Sequence, residues 1–148
     1  MSLKERITED MKTAMRAKDS ERLGTIRMLT SAIKQREVDE RITLDDVQVL
    51  SVIDKMIKMR KESVVQFQSG RRDDLVAKEN REIDLLQSYL PAQLSAAEVD
   101  ALIAEAIAQS GAASIKEMGK AMALLKQKAQ GRTDMAAASA KLKAKLGG

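Results

Sequence analysis

Cysteine, histidine and tryptophan are absent from the 148 residues, and phenylalanine, tyrosine and proline occur once each. Without an imidazole or a thiol, the chain cannot build a serine–histidine or cysteine–histidine nucleophilic centre. The usual nitrogen and sulfur ligands of zinc and haem are missing too, so no metal or other cofactor is expected. The lack of cysteine also rules out a disulfide framework and suits an intracellular protein. No apolar run approaches the ~20 residues of a membrane span, and Met1-Ser2-Leu3-Lys4-Glu5-Arg6 is charged where a signal peptide turns apolar. These features predict a cytoplasmic protein with no membrane partner. With so few aromatic rings the core must be aliphatic, and nine methionines are available to fill irregular gaps between helices.

What is present reads as helix. Ala, Leu, Lys, Glu, Met, Gln and Arg dominate, and apolar residues recur at three and four rather than two. A first helix over about 3–17 carries Leu3, Ile7, Met11 and Met15 on one stripe. Asp19 caps a second, with Leu23, Ile26, Leu29 and Ile33 inward. Residues 36–41 lack periodicity and read as a connection. Thr43 and Asp46 resemble a capping box that opens a long third helix bearing Leu50, Ile53, Ile57, Val64 and Phe67, with Gly70 closing it in a left-handed conformation. Asp73 caps a fourth helix whose seam is Leu75, Glu79, Ile83, Leu86 and Leu90. Pro91 stops it and marks a boundary, with Tyr89 expected to pack at the junction.

Beyond it, Ser95 with Glu98 and Ser114 with Glu117 form S-x-x-E boxes opening two short helices, the first ended by Gly111 and the second running to Gly131. Their stripes are Val99, Leu102, Ile103, Ala106 and Ile107, then Met118, Met122 and Leu125. Thr133 or Asp134 caps a last helix through Met135, Ala138, Leu142 and Leu146. The expected architecture is all-α, with a four-helix N-terminal domain over 1–91 and a small three-helix tail domain over 92–148.

Charge is distributed unevenly. The chain is +4 overall, yet residues 116–148 carry eight basic side chains against two acids. Lys116, Lys120, Lys126, Lys128 and Arg132 have too few local acids to cancel them, which leaves two readings: a solvated face, or a surface contacting nucleic-acid phosphates. With so few aromatics, recognition of RNA by shape is favoured over stacking on unpaired bases. Lys58, Arg60 and Lys61 form a secondary basic cluster on the third helix, read first as a solvated face. Ser63 beside them has no base within sequence reach and reads as a serine bonded to its own helix backbone. Asp45-Asp46 and Asp73-Asp74 lie at helix starts, where carboxylates stabilise the dipole, rather than forming a metal site. The stretch from Gly111 to Ala121 fails as a phosphate-binding loop, since seven residues separate its glycines and Ala121 follows Lys120. Gly119 then permits close packing of two helices or close approach of a ligand.

Several segments together resemble the YqeY family: Ala14-Met15-Arg16-Ala17-Lys18-Asp19, Leu23 to Ile33 with Arg27-Met28-Leu29, Lys58 to Ser63, Tyr89-Leu90-Pro91, and Met118-Gly119-Lys120-Ala121-Met122. That family is similar to the C-terminal helical and tail region of the GatB subunit of glutamine-dependent aspartyl/glutamyl-tRNA amidotransferase. The resemblance implies a helical domain joined to a tail domain that helps to hold tRNA, and its matching positions are Met118, Gly119, Lys120 and Met122, then Gly131-Arg132 with Asp134 after it. Taken with the uncompensated local charge, Lys116, Gly119, Lys120, Lys126, Lys128 and Arg132 form the expected RNA-binding set. Two positions depart from the family pattern: Met135 stands where glycine often follows the aspartate, and Gln127 where proline is common. The resemblance also carries a label of carbon–nitrogen ligase activity with glutamine as amido-N donor, which belongs to the larger enzyme. Neither a glutaminase serine–lysine site nor a nucleotide-binding kinase domain is visible in the chain. The expected partners are therefore tRNA and a tRNA-processing enzyme, with a protein-interaction module as the alternative role.

Overall fold

Ser2 accepts a hydrogen bond from the Glu5 amide while the Glu5 carboxylate reaches back to the Ser2 amide, and this capping box opens α1, Leu3–Arg16. The computed structural model describes residues 1–147. Asp19 caps α2, Ser20–Glu40, and is followed by α3, Asp46–Ser69, and α4, Asp73–Gln87. After Pro91 come α5, Ala96–Ser110, a single 3₁₀ turn, Ile115–Glu117, α6, Met118–Ala129, and α7, Met135–Lys145. No strand occurs among the described residues, so the fold is all-α. The chain divides into two compact units, Met1–Leu90 and Pro91–Gly148.

In the first unit, α3 packs chiefly on α4 and α1 chiefly on α2. Ile7, Ile26, Leu29, Val49, Ile53 and Leu86 are its most deeply buried large side chains. Leu50, Val64 and Phe67, expected inward, are only half-buried, and Val49, Val52 and Met56 take the deeper positions of α3.

Residues 36–40 are helical rather than a connection. Gln35 bonds Asp39 and Arg36 pairs with Glu40 one turn on, so charged side chains stabilise turns that lack an apolar stripe. Glu37 also accepts from Lys4 and from the Leu44 amide, anchoring the end of α2 to α1 and to the following loop. Those bonds hold its carboxyl below the ordinary range, the Lys4 bond first.

The capping box of α3 uses Asp45 with Gln48, not Thr43 with Asp46; Asp46 instead accepts from the Leu3 amide. The left-handed residue after α3 is Arg71, at φ 55°, while Gly70 has φ −84°. The Arg71 amide bonds Gln68 O and the Arg72 amide bonds Phe67 O, which makes the residue after the cap the one that must turn left-handed. α4 starts without a side-chain cap, since Arg72 precedes it and forms a two-pronged ion pair with Asp74.

Tyr89 packs into the first unit's own core. Its hydroxyl donates to Asp10 Oδ2 at 2.6 Å, and the Arg6 guanidinium lies 4.9 Å from the ring centre. Burial, then the Asp10 bond, pushes the phenol's pKa well above 10.0. A group whose folded pKa is raised contributes stability below its unfolded pKa and loses it as pH rises beyond. Tyr89→Phe is therefore expected to lower stability by about 1.5 kcal/mol at neutral pH. The difference should shrink above the ordinary phenol range, as urea titrations of both proteins at two pH values would show.

In the second unit, α5 packs on α6, and α7 closes against both. Ser95 and Glu98 form the expected capping box, and Gly111 ends α5 at φ 70°. Ser114 makes no side-chain cap bond. The chain passes through the 3₁₀ turn before α6 begins, and Glu117 accepts instead from the Ala113 amide. Asp134 caps α7, bonding the Ala136 and Ala137 amides. Ile103, Leu125 and Leu142 are the fully buried large side chains of this unit.

Candidate nucleic-acid interface

The apolar side of α6 presents Ala121, Leu125 and Ala129 to the second unit's core, with Met118 and Met122 half-buried beside them. At 100° per residue the opposite side of α6 carries Lys120, Ala123 and Gln127, flanked by Gly119 and Lys126, and Lys116 precedes the helix in the 3₁₀ turn. All six are exposed. Lys116, Lys120 and Lys126 make no ion pair or hydrogen bond through their side chains among the described residues, and the neighbouring Glu117 accepts from the Ala113 amide instead. Gly119 needs no room from its own fold: a Cβ there would meet nothing within 4 Å. Close helix–helix packing within the second unit therefore does not explain this glycine.

The other two residues of the set are engaged. Lys128 lies on the flank facing α5 and pairs with Glu105, whose carboxyl is held below its ordinary range first by that hydrogen bond. Although Lys120 and Lys128 are eight apart, one faces outward and the other is tied to a neighbouring helix. Arg132 donates from Nε to Ala92 O at 3.0 Å, and its own carbonyl accepts from the Leu94 amide at 2.7 Å. Gln93 Nε2 adds a bond to Gly131 O at 2.8 Å. Gly131, at φ 78°, makes the turn that brings this backbone against residues 92–94. Arg132 thus fastens the entry segment of the second unit to the α6–α7 turn. On α7, Lys141 pairs with Asp100, whereas Lys143 and Lys145 are exposed.

The secondary cluster does not hold together as a basic surface. Lys58 and Lys61 are exposed, but Arg60 points into the seam between three helices. Its Nε donates to Glu82 of α4 at 3.0 Å, Nη1 to Met56 O of α3 at 3.4 Å, and Nη2 approaches Met28 Sδ of α2 at 3.9 Å. Sequence periodicity placed Glu79 on this seam and passed over Glu82, which is the buried acid. A signal existed, since Glu82 follows Leu75 by seven residues and precedes Leu86 by four. Beside Arg60, an open cleft of about 460 Å³ is lined by Met59, Glu62, Ser63, Gln66 and Glu79. Ser63 donates to Met59 O and has no base partner, as expected for a serine bonded to its own helix. Among the described residues, no three histidine, cysteine or acidic side chains converge to hold a metal. Among the described residues, no helix is long and apolar enough to cross a membrane.

The chain is 40% identical to Altered inheritance of mitochondria protein 41, mitochondrial, of Kluyveromyces lactis over 102 residues, 67% of this chain and 55% of that protein. The protein of the same name from Eremothecium gossypii is 40% identical over 101 residues, 68% of this chain and 55% of the relative. That from Lachancea thermotolerans is 38% identical over 107 residues, 70% and 57%. The chain spans about half the length of the curated relatives it matches. These relatives are named as mitochondrial proteins, which corrects the expectation of a cytoplasmic protein. The absence of cysteine does not separate the cytosol from an organelle interior. Residues 4–146 match the description "Yqey-like protein", and with nearly the whole chain covered, the protein belongs to the YqeY family.

Proposed function

We propose that the chain is a non-catalytic helical module that binds tRNA or serves a tRNA-dependent amidotransferase, with its second unit acting as a tail domain contacting tRNA phosphates. The observation that carries this reading is the outward side of α6 and the 3₁₀ turn before it, where among the described residues Lys116, Lys120 and Lys126 stand without acidic partners near an exposed Gly119. Cations that no internal acid neutralises are the ones available to displace counterions from a phosphate backbone. Glycine in the first turn of the helix lets that backbone come close. Lys128 and Arg132 belong to the same region but contribute less, because contact with RNA would compete with Glu105 and with the Ala92 carbonyl.

Titration of the full chain with a tRNA transcript at several salt concentrations tests the reading. Binding should weaken steeply with salt. A Lys116→Ala/Lys120→Ala/Lys126→Ala variant should lose about tenfold or more in affinity and flatten the log–log salt slope by about two to three. No binding at low salt, or an unchanged slope in the variant, rejects it.

A second reading, docking onto a protein, is favoured by Met59 and Val65, which stand 56% and 58% exposed on α3. Association that survives high salt would support docking over phosphate binding, since screening leaves apolar contacts intact.

A further inference from the structure

The first unit contains a second helix face with the same composition. On α2 the buried side is Thr25, Ile26, Leu29 and Ile33. Opposite it, within a sector of about 80°, lie Gly24, Arg27, Ser31 and Lys34. All four are exposed. Gly24 sits five residues into a 21-residue helix, where glycine is about 1 kcal/mol less favourable than alanine, and a Cβ there would meet nothing within 4 Å. Neither a turn, a positive φ nor a close neighbour in the fold requires it.

The charges of α2 point the same way. Each of its acids is engaged: Glu21 with Arg81, Glu37 with Lys4, Asp39 with Gln35, and Glu40 with Arg36. Asp19, just before the helix, is used by its cap. Among the described residues, Arg27 and Lys34 have no such partner. They stand two turns apart, about 10 Å along the axis. The face is also held from beneath, because Ile26, Leu29 and Ile33 on the other side of α2 are buried in the core of the first unit. It therefore combines uncompensated positive charge, a rigid base, and a point where another backbone can touch the helix.

We propose that this face of α2 is a second RNA phosphate-binding surface. The proposal rests on the RNA reading of the second unit but on different residues. The test uses the full chain, a tRNA transcript, and three variants: Gly24→Ala, Arg27→Ala/Lys34→Ala, and the α6 triple variant. Gly24→Ala should raise the melting temperature by a few degrees while weakening RNA binding about five- to tenfold. An effect of opposite sign on folding and on binding cannot come from damage to the helix. Arg27→Ala/Lys34→Ala should reduce the salt slope by about two, independently of the α6 substitutions. Gly24→Ala with unchanged affinity, or the α2 double variant with an unchanged slope, overturns the proposal. If only the α6 variant weakens binding, the second-unit reading stands and this one falls. If only the α2 variants do, the reverse holds. A full chain that does not bind at low salt removes both.

Discussion

Glu82→Ala is expected to destabilise the first unit by about 3–5 kcal/mol, because it leaves the Arg60 guanidinium in a three-helix seam without its counterion. The two side chains are only 12% and 10% exposed, and the Nε–Oε2 distance is 3.0 Å. The remaining contacts of Arg60, to the Met56 carbonyl and the Met28 thioether, are too weak to replace a carboxylate. Breaking such a pair differs from replacing it. Arg60→Met/Glu82→Leu removes both charges, keeps comparable volume, and should recover most of the loss. Urea denaturation of the single and double variants, analysed as a cycle, separates the coupling from the cost of truncation. A Glu82→Ala protein within about 1 kcal/mol of the parent, or a double variant no better than the single, would show that the pair does not hold the helices together.

The same pair shows where the sequence was readable and where it was not. Helix type and most helix ends followed from local chemistry, as at Asp19, at Ser95 with Glu98, and at Gly111, where each residue satisfies or closes its own helix. The errors arose where a distant or adjacent partner chose between local options. Asp45 and Asp46 are equally good caps by composition, and the choice is made by the Leu3 amide taking Asp46 across 43 positions. Residues 36–40 look irregular because their stabilisation is by charge pairs rather than by an apolar stripe.

Charge counting found the basic segment of the second unit but could not rank its members. Lys116, Lys120 and Lys126 differ from Lys128, Arg132 and Lys141 only in what lies opposite them: Glu105, the Ala92 carbonyl and Asp100. Those partners are contributed by other segments. Gly24 was passed over for a related reason, since its significance lies in the empty space around it and in the engagement of every acid on its helix.

Leu142→Ala should have the most visible consequence in the second unit, where little core exists to absorb it. The unit spans Pro91–Gly148, and half of its buried apolar residues are alanines, leaving Val99, Ile103, Leu125, Leu142 and Leu146 as the larger ones. A domain of this size rarely draws more than about 3–5 kcal/mol from a single core, with no disulfide to supplement it. Leu142 has no exposed surface, and truncating it to alanine costs about 2–5 kcal/mol, comparable to the whole. If the two units are independent domains, the variant should lose about a third of its helical signal at 25 °C, the share contributed by α5, α6 and α7, while the first unit melts as before. RNA affinity should fall with that signal, because Lys116, Lys120 and Lys126 are displayed together only on a folded α6. Full helicity with a single cooperative transition lowered for the entire chain would instead mean that the units fold as one body. Loss of the second unit's helices with RNA binding intact would shift the phosphate contacts to the first unit, whose α2 face carries Gly24, Arg27 and Lys34.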